Sequence, residues 1–289
     1  MGFQERSYTS QHNETPHRIY YSDWGAKDAA PIVCVHGLTG NGFDFDYLAP
    51  ALVELGHRVI AVDLPGRGRS DFLADPLGYN YLQYIEDLEG LLEHIGLEDG
   101  QKVDWIGVSL GGLLGIRMAA GANSRINRLI LNDVGPEVPK AALDFIYQVV
   151  SKQYRFDTIK ALETRMRETR GLSWGPLTDE QWRHMAEYNA RALKDGSITY
   201  AYDHHIAQVF KTNPVGEINL WPLWDEISVP VLLLRGSQSL ILPAAIVEKM
   251  RGRGPDFKLV EFGDCGHVPS LMADNHIEAI TKWLKQTKG

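Results

Sequence analysis

Ser109 is the residue in this chain whose surroundings most directly specify covalent chemistry. It is centred in Gly107-Val108-Ser109-Leu110-Gly111. The apolar run before it, Val103 to Val108, reads as a buried parallel strand, and the small-residue segment after it, Gly112 to Ala120, reads as a helix able to pack close to a sheet. G-x-S-x-G in that setting is a nucleophile elbow, a sharp strand-to-helix turn that lifts the serine hydroxyl above the sheet edge. The flanking glycines follow from sterics, since a Cβ at either position would clash in so tight a turn. The helix N-terminus then faces the serine, and the Leu110 amide becomes a candidate oxyanion donor. The plain alternative is a Gly-rich turn without chemistry, and the strand and helix on either side argue against it.

His36, Asp133 and His267 stand in comparable places. His36-Gly37-Leu38-Thr39-Gly40 follows the apolar run Pro31–Val35, Asp133 follows Arg128–Asn132, and Gly266-His267 follows Lys258–Phe262. The elements that must position them alternate. Residues 3–12 and 17–24 read as an antiparallel pair of strands, and Arg58–Val62 as a further strand. Phe43–Leu55 and Tyr81–Ile95 read as helices, Pro230–Arg235 as a late strand and Asn275–Lys285 as a last helix. Strands alternating with helices predict an α/β fold with a mostly parallel, helix-covered sheet, and ligands on such sheets bind beyond the carboxyl ends of the strands. Ser109, His36, Asp133 and His267 can therefore converge. The alternation stops between about Pro136 and Trp221, where Ala141–Val150, Asp157–Arg170 and Asp179–Leu193 read as helices, with a fourth at Asp203–Phe210. The segment is too apolar and aromatic to be a linker. The expected division is a core of 1–135 and 222–289 with a helical insertion at 136–221.

The totals narrow the function. The chain has 289 residues, 44% hydrophobic and 23% charged, and a net charge of −8, which argues against nucleic acid or an anionic membrane as partner. The N-terminus lacks an apolar signal region and no run is long enough to span a bilayer, so a soluble, cytoplasmic protein is expected. Two cysteines, Cys34 and Cys265, are too few for a disulfide framework. His204-His205 lacks the spacing of a helical zinc pair, and no metal or other cofactor is expected. The expected partner is a small-molecule substrate, and the expected assembly a monomer or homodimer.

His36-Gly37, the Gly107–Gly111 elbow, the helical insertion and Gly266-His267, in this order, together with Asp63-Leu64-Pro65-Gly66-Arg67-Gly68-Arg69-Ser70, resemble an α/β-hydrolase with a cap domain. Within that family the chain is most similar to small bacterial esterases and carbon–carbon bond hydrolases. The serine argues against the branches that use aspartate at the elbow. The resemblance implies that Ser109 attacks a carbonyl carbon, that His267 takes its proton and returns it to the leaving group, and that the amides of Leu38 and Leu110 hold the oxyanion. His36 is expected to support its loop rather than act as a base.

The sequence departs from the family at the acid. Relatives carry an aspartate in the loop after the late strand, and Leu240, in Ser237-Gln238-Ser239-Leu240-Ile241, stands where it is expected. Three readings stay open: the acid has moved to Asp133, the enzyme runs as a Ser–His dyad, or Leu240 is an engineered or inactivating change or the mark of a chain that binds without turnover. Asp264 is close to His267 in sequence, but its side chain points elsewhere. For the pocket, Trp174, Trp182, Tyr188, Tyr202, His204, His205 and Phe210 are the aromatic candidates, each weighed against plain packing. Arg67 and Arg69 are read as a solvated loop rather than a carboxylate site. The expected activity is hydrolysis of a small apolar carboxylic ester through an acyl-enzyme, with carbon–carbon bond cleavage and ligand binding without turnover as alternatives.

Overall fold

The computed structural model describes residues 2–98, 100–208 and 218–288. Eight strands form one sheet: β1 (Gln4–His12), β2 (Thr15–Trp24), β3 (Ala30–Val35), β4 (His57–Val62), β5 (Val103–Val108), β6 (Ile126–Asn132), β7 (Val231–Gly236) and β8 (Phe257–Phe262). Their spatial order is β1-β2-β4-β3-β5-β6-β7-β8. The pairings β1·β2 and β2·β4 are antiparallel, and the five others, from β4·β3 to β7·β8, are parallel. The apolar runs are continuous because both faces are covered. Along β3, Val33 and Val35 enter the core on one face while Ile32 and Cys34 enter the core on the other. Along β7, Val231 and Leu233 divide from Leu232 and Leu234 in the same way.

Among the described residues the helices are α1 (Ala49–Glu54), α2 (Tyr81–His94), α3 (Leu110–Ala119), α4 (Lys140–Val150), α5 (Ile159–Trp174), α6 (Asp179–Tyr188), α7 (Trp221–Asp225), α8 (Ala244–Arg251) and α9 (Asp274–Gln286). The helix expected over Phe43–Leu55 is split. A 3₁₀ turn at Gly42–Phe45 is capped by Asn41, and α1 starts separately with Pro50 in its first turn, where a missing N–H costs nothing. The segment between β6 and β7 carries α4, α5 and α6, as the apolar periodicity predicts, but it also holds two short antiparallel ladders. Val138 pairs with Ile218 and Glu137 with Asn219, which ties the start of the segment to its end. Ala190–Ala192 pairs with Ile198–Tyr200, so the helix expected over Asp179–Leu193 ends at Tyr188, with the Asn189 amides bonded back to the helix end. Ladders of two or three residues are too short to show an alternating pattern. The fourth expected helix begins as a 3₁₀ turn at His204–Gln208, and its remainder lies outside the described residues. Among the described residues no helix is long and apolar enough to cross a membrane.

Two glycines fix the junction between β5 and α3. A Cβ on Gly107 would lie 2.3 Å from the Gly111 carbonyl oxygen, and one on Gly111 would lie 2.0 Å from the Val35 carbonyl oxygen at the end of β3. Both obstacles are backbone, which cannot move aside without shifting a central strand. Gly111→Ala is therefore expected to cost about 3 kcal/mol or more, as overpacking at a rigid site does. Gly90→Ala in α2 is the control: its Cβ meets only the edge of the Tyr8 ring, at 3.4 Å. That change is expected to be neutral or to gain up to about 1 kcal/mol from helix propensity. Urea unfolding of the two variants measures both.

Candidate active site

The β5–α3 junction holds Ser109 at φ 47° and ψ −107°, a conformation that side-chain-bearing residues rarely adopt. It is kept there by the Ser109 amide donating to the Asn132 carbonyl (3.0 Å), and by the Ser109 carbonyl accepting from the Gly112 and Leu113 amides (2.9 and 3.0 Å). The hydroxyl consequently stands at the carboxyl end of the sheet. His267, in the loop after β8, reaches it: Nε2 lies 3.1 Å from Ser109 Oγ, and Nδ1 lies 2.7 Å from Asp133 Oδ2. With Asp133 ionised, Nδ1 carries the proton and donates it to the carboxylate, leaving the Nε2 lone pair to accept from the serine.

Asp133 comes from the residue after β6 and adopts φ 58°. Its amide donates to the Leu234 carbonyl (2.8 Å), which pins it to β7. Its side chain is fully buried, and both carboxylate oxygens have donors besides the histidine. The Gly236 amide donates to Oδ1 (2.9 Å) and the Ser239 hydroxyl to Oδ2 (2.5 Å). The Ser239 oxygen in turn accepts from the Ile241 and Leu242 amides (3.2 and 3.1 Å). Such a set of donors satisfies carboxylate oxygens that burial has removed from water. The loop after β7 thus contributes a backbone amide and a hydroxyl to the acid, while the carboxylate itself comes from β6. Leu240 is not brought to the site. Its side chain is 79% exposed, and the loop turns so that Ser239, one residue earlier, is the one facing inward. Ser239 is not singled out by sequence, although its hydroxyl stands next to Leu240 in the loop.

The loop after β3 lies against the serine, where a Cβ on Gly37 would be 3.7 Å from Ser109 Cβ. Among the described residues, no acceptor takes the amide of Leu38 or that of Leu110. Two side chains brace this loop. His36 is buried, with Nδ1 donating to the Gly37 carbonyl (2.6 Å) and Nε2 accepting the Leu64 amide (3.0 Å). Burial lowers its pKa to about 4, so the ring stays neutral, as its acceptor role requires. Arg67, expected in a solvated loop, is instead fully buried. It donates from Nε to the Leu38 carbonyl (3.0 Å) and from Nη1 to the Pro65 carbonyl (2.7 Å) and the Tyr84 hydroxyl (2.8 Å). Arg69 is largely buried as well, bonded to Asp63 (2.8 Å) and lying over the Phe43 ring. Carbonyl, hydroxyl and carboxylate acceptors make these burials possible.

Above Ser109 and His267 is a cavity of about 480 Å³ between the sheet end and α4–α6, lined mainly by apolar side chains such as Phe145, Val149, Met185 and Met272. Of the aromatic candidates, Trp174 and Tyr202 line it. The others do not. Trp182 stacks on Trp174 (centroids 5.7 Å apart), and Tyr188 stacks on Phe43 (4.1 Å). His204 and His205 lie beside Asp203, which accepts from His205 Nδ1 (2.8 Å) and from the Tyr79 hydroxyl (2.7 Å). Phe210 lies outside the described residues. The cavity is also lined by charged residues that no sequence motif singles out: Asp44, Arg165 and Arg170. Burial pushes the Asp44 carboxyl up to about 7, against the opposing pull of Arg170 and the Asn41 amide. Among the described residues, Asp203, His204 and His205, and separately Asp264, Cys265 and His276, group three metal-type donors each. Neither group lines the cavity.

Residues 30–273 match the model of a family described by the alpha/beta hydrolase fold. The chain is 38% identical over 268 residues to the 3-hydroxybutyrate-oligomer hydrolase of Cupriavidus necator, a match covering 89% of each chain. In structure it is similar to a Rickettsia typhi chain (TM-score 0.91, 29% identity, 100% of both chains). It is also similar to an alpha/beta hydrolase of Novosphingobium aromaticivorans (TM-score 0.86, 33% identity, 99% of this chain and 100% of that one).

The hydrogen bonds around Asp133 predict an ordered set of losses. Asp133→Asn is expected to lower ester turnover about 10⁴-fold, as loss of the carboxylate does in a serine protease, with the fold retained. Ser239→Ala removes one of the donors to that carboxylate and is expected to cost about tenfold. Leu240→Asp places its carboxylate in solvent and is expected to change turnover less than about threefold. Initial rates on p-nitrophenyl butyrate, beside Ser109→Ala as the blank, give the ranking.

Proposed function

Since the chain belongs to the alpha/beta hydrolase fold family, we propose that this hydrolase cleaves carboxylic esters, and that its substrates are short oligoesters of 3-hydroxybutyrate or a similar hydroxy acid. The observation carrying the reaction type is the Ser109–His267–Asp133 hydrogen-bond chain at the floor of a mainly apolar cavity. The substrate class is supported by the similarity to the Cupriavidus necator enzyme over nearly all of both chains.

In this reading Ser109 Oγ attacks the ester carbonyl while His267 Nε2 takes its proton. The imidazolium is stabilised by the Asp133 carboxylate, hydrogen-bonded to Nδ1. The carbonyl oxygen, now negative, accepts from the Leu38 and Leu110 amides, and each such donor is worth about 3 kcal/mol. Arg67 and His36 contribute by fixing the strand-end loop on which Leu38 sits. His267 then protonates the departing alkoxide, which leaves as a hydroxy acid. Water, deprotonated by the same histidine, releases the acyl group from Ser109. The helices over the cavity act as a cap that sets chain length and excludes bulk water.

Two observations support turnover over binding alone: Leu240 is exposed away from the site, and the His267 imidazole is hydrogen-bonded to Asp133. Carbon–carbon bond cleavage retains one supporting observation, the arginines in the cavity, which suit a substrate carboxylate. A single substrate panel separates the two. Trimers of 3-hydroxybutyrate are expected to be converted to dimer and monomer, with Ser109→Ala inactive and Ser109 labelled by a fluorophosphonate. Rapid cleavage of a ring-fission dienedioate, with the trimer untouched, would replace this proposal by the carbon–carbon reading.

A further inference from the structure

Arg170 is a cation in a mainly apolar cavity, and among the described residues no carboxylate lies within 4 Å of it. It lies on α5 and lines the cavity that contains Ser109. Its guanidinium carbon sits 4.9 Å from the centroid of the Trp174 ring and 5.4 Å from that of Tyr200. The Trp174 and Tyr200 side chains line the same cavity. Every other arginine of α5 has a carboxylate within 4 Å: Arg165 has Glu168, and Arg167 has Glu163 and Asp179. Among the described residues Arg170 has none. The acid that acts on it from within the cavity, Asp44, does so without forming an ion pair. Two aromatic rings fix the guanidinium and leave its fork of N–H donors unclaimed by any carboxylate.

We infer that Arg170 is the anchor for a free carboxylate at one end of the substrate, so that the cavity selects esters terminating in an acid. This rests on the ester-hydrolase reading and adds the feature of the substrate that is recognised. A planar guanidinium pairs with a carboxylate through two parallel hydrogen bonds, and in surroundings of low dielectric that pairing is stronger than at a surface. An oligoester of a hydroxy acid carries one such carboxylate per chain, at the alcohol end of its last ester bond. The mainly apolar remainder of the cavity suits the methyl and methylene groups between. A neutral ester enters the same cavity without this contact. Selection of an acid terminus makes the enzyme act from chain ends, because an internal ester bond of a long polymer presents no carboxylate nearby.

Binding without turnover tests this directly. Ser109→Ala protein is titrated calorimetrically with the 3-hydroxybutyrate dimer as free acid and as its methyl ester. The free acid is expected to bind at least tenfold more tightly. Adding Arg170→Gln is expected to abolish that preference while leaving the methyl ester affinity unchanged, and Arg170→Lys to restore it in part. Equal affinities for acid and ester, no binding of either, or a preference that survives Arg170→Gln would each overturn the assignment. The ester-hydrolase reading is judged separately, by cleavage of the methyl ester with the Ser109-containing protein.

Discussion

Backbone meets backbone where α3 begins. Gly111 packs against the Val35 carbonyl at the end of β3 so closely that no side chain fits between them, and Gly107 meets the Gly111 carbonyl in the same way. That contact forces the turn between β5 and α3 to be sharp, which holds Ser109 in its strained conformation and fixes where its hydroxyl points. It also places the start of α3 beside the loop that follows β3, so the Leu110 and Leu38 amides come from two segments pressed together. The remaining parts of the site are arranged around a serine already in position. Parallel pairing of β5 with β6, and of β6 with β7, brings the chain ends carrying Asp133 and the 236–242 loop alongside.

The acid illustrates how a sheet divides one task between neighbouring strands. Asp133 supplies the charge from the end of β6. The loop after β7 supplies the Gly236 amide and the Ser239 hydroxyl that make a fully buried charge tolerable there. A Cβ on Gly236 would lie 2.0 Å from the Gly266 carbonyl, so this loop also sets the position of the segment bearing His267. The Asn132 side chain holds the other side of that segment, its Nδ2 donating to the Pro269 carbonyl (2.8 Å). The imidazole is oriented from both sides by groups on adjacent strand ends, which is the arrangement that preserves a single tautomer.

Much of this is legible in the sequence because buried parallel strands are continuous apolar runs and the elbow pattern is local. The strands flanking Ser109, Asp133 and His267 fall within one or two residues of where the apolar runs place them. Legibility fails where a side chain's direction depends on tertiary contact. Leu240 and Ser239 differ by one position in a loop without periodicity, and nothing in their spacing shows which one faces Asp133. Arg67 reads as solvated because a loop arginine usually is. Its burial depends on the Leu38 and Pro65 carbonyls and the Tyr84 hydroxyl, which are distant or inconspicuous in sequence. The aromatic residues of 174–205 share a region, but stacking turns Trp182 and Tyr188 away from the cavity. Arg170 did leave a trace, since it precedes Trp174 by one helical turn on α5.

Asp133, and no residue of the 236–243 loop, is hydrogen-bonded to Nδ1 of the His267 imidazole. The proton on His267 Nδ1 reports it, because a hydrogen bond to a buried carboxylate moves that resonance far downfield of the backbone amides in a proton NMR spectrum. The signal, assigned by its absence from His267→Gln, is expected to persist in Leu240→Asp and to vanish from that position in Asp133→Asn. A resonance left unmoved by Asp133→Asn would contradict the account and return the search for the acid to another part of the chain.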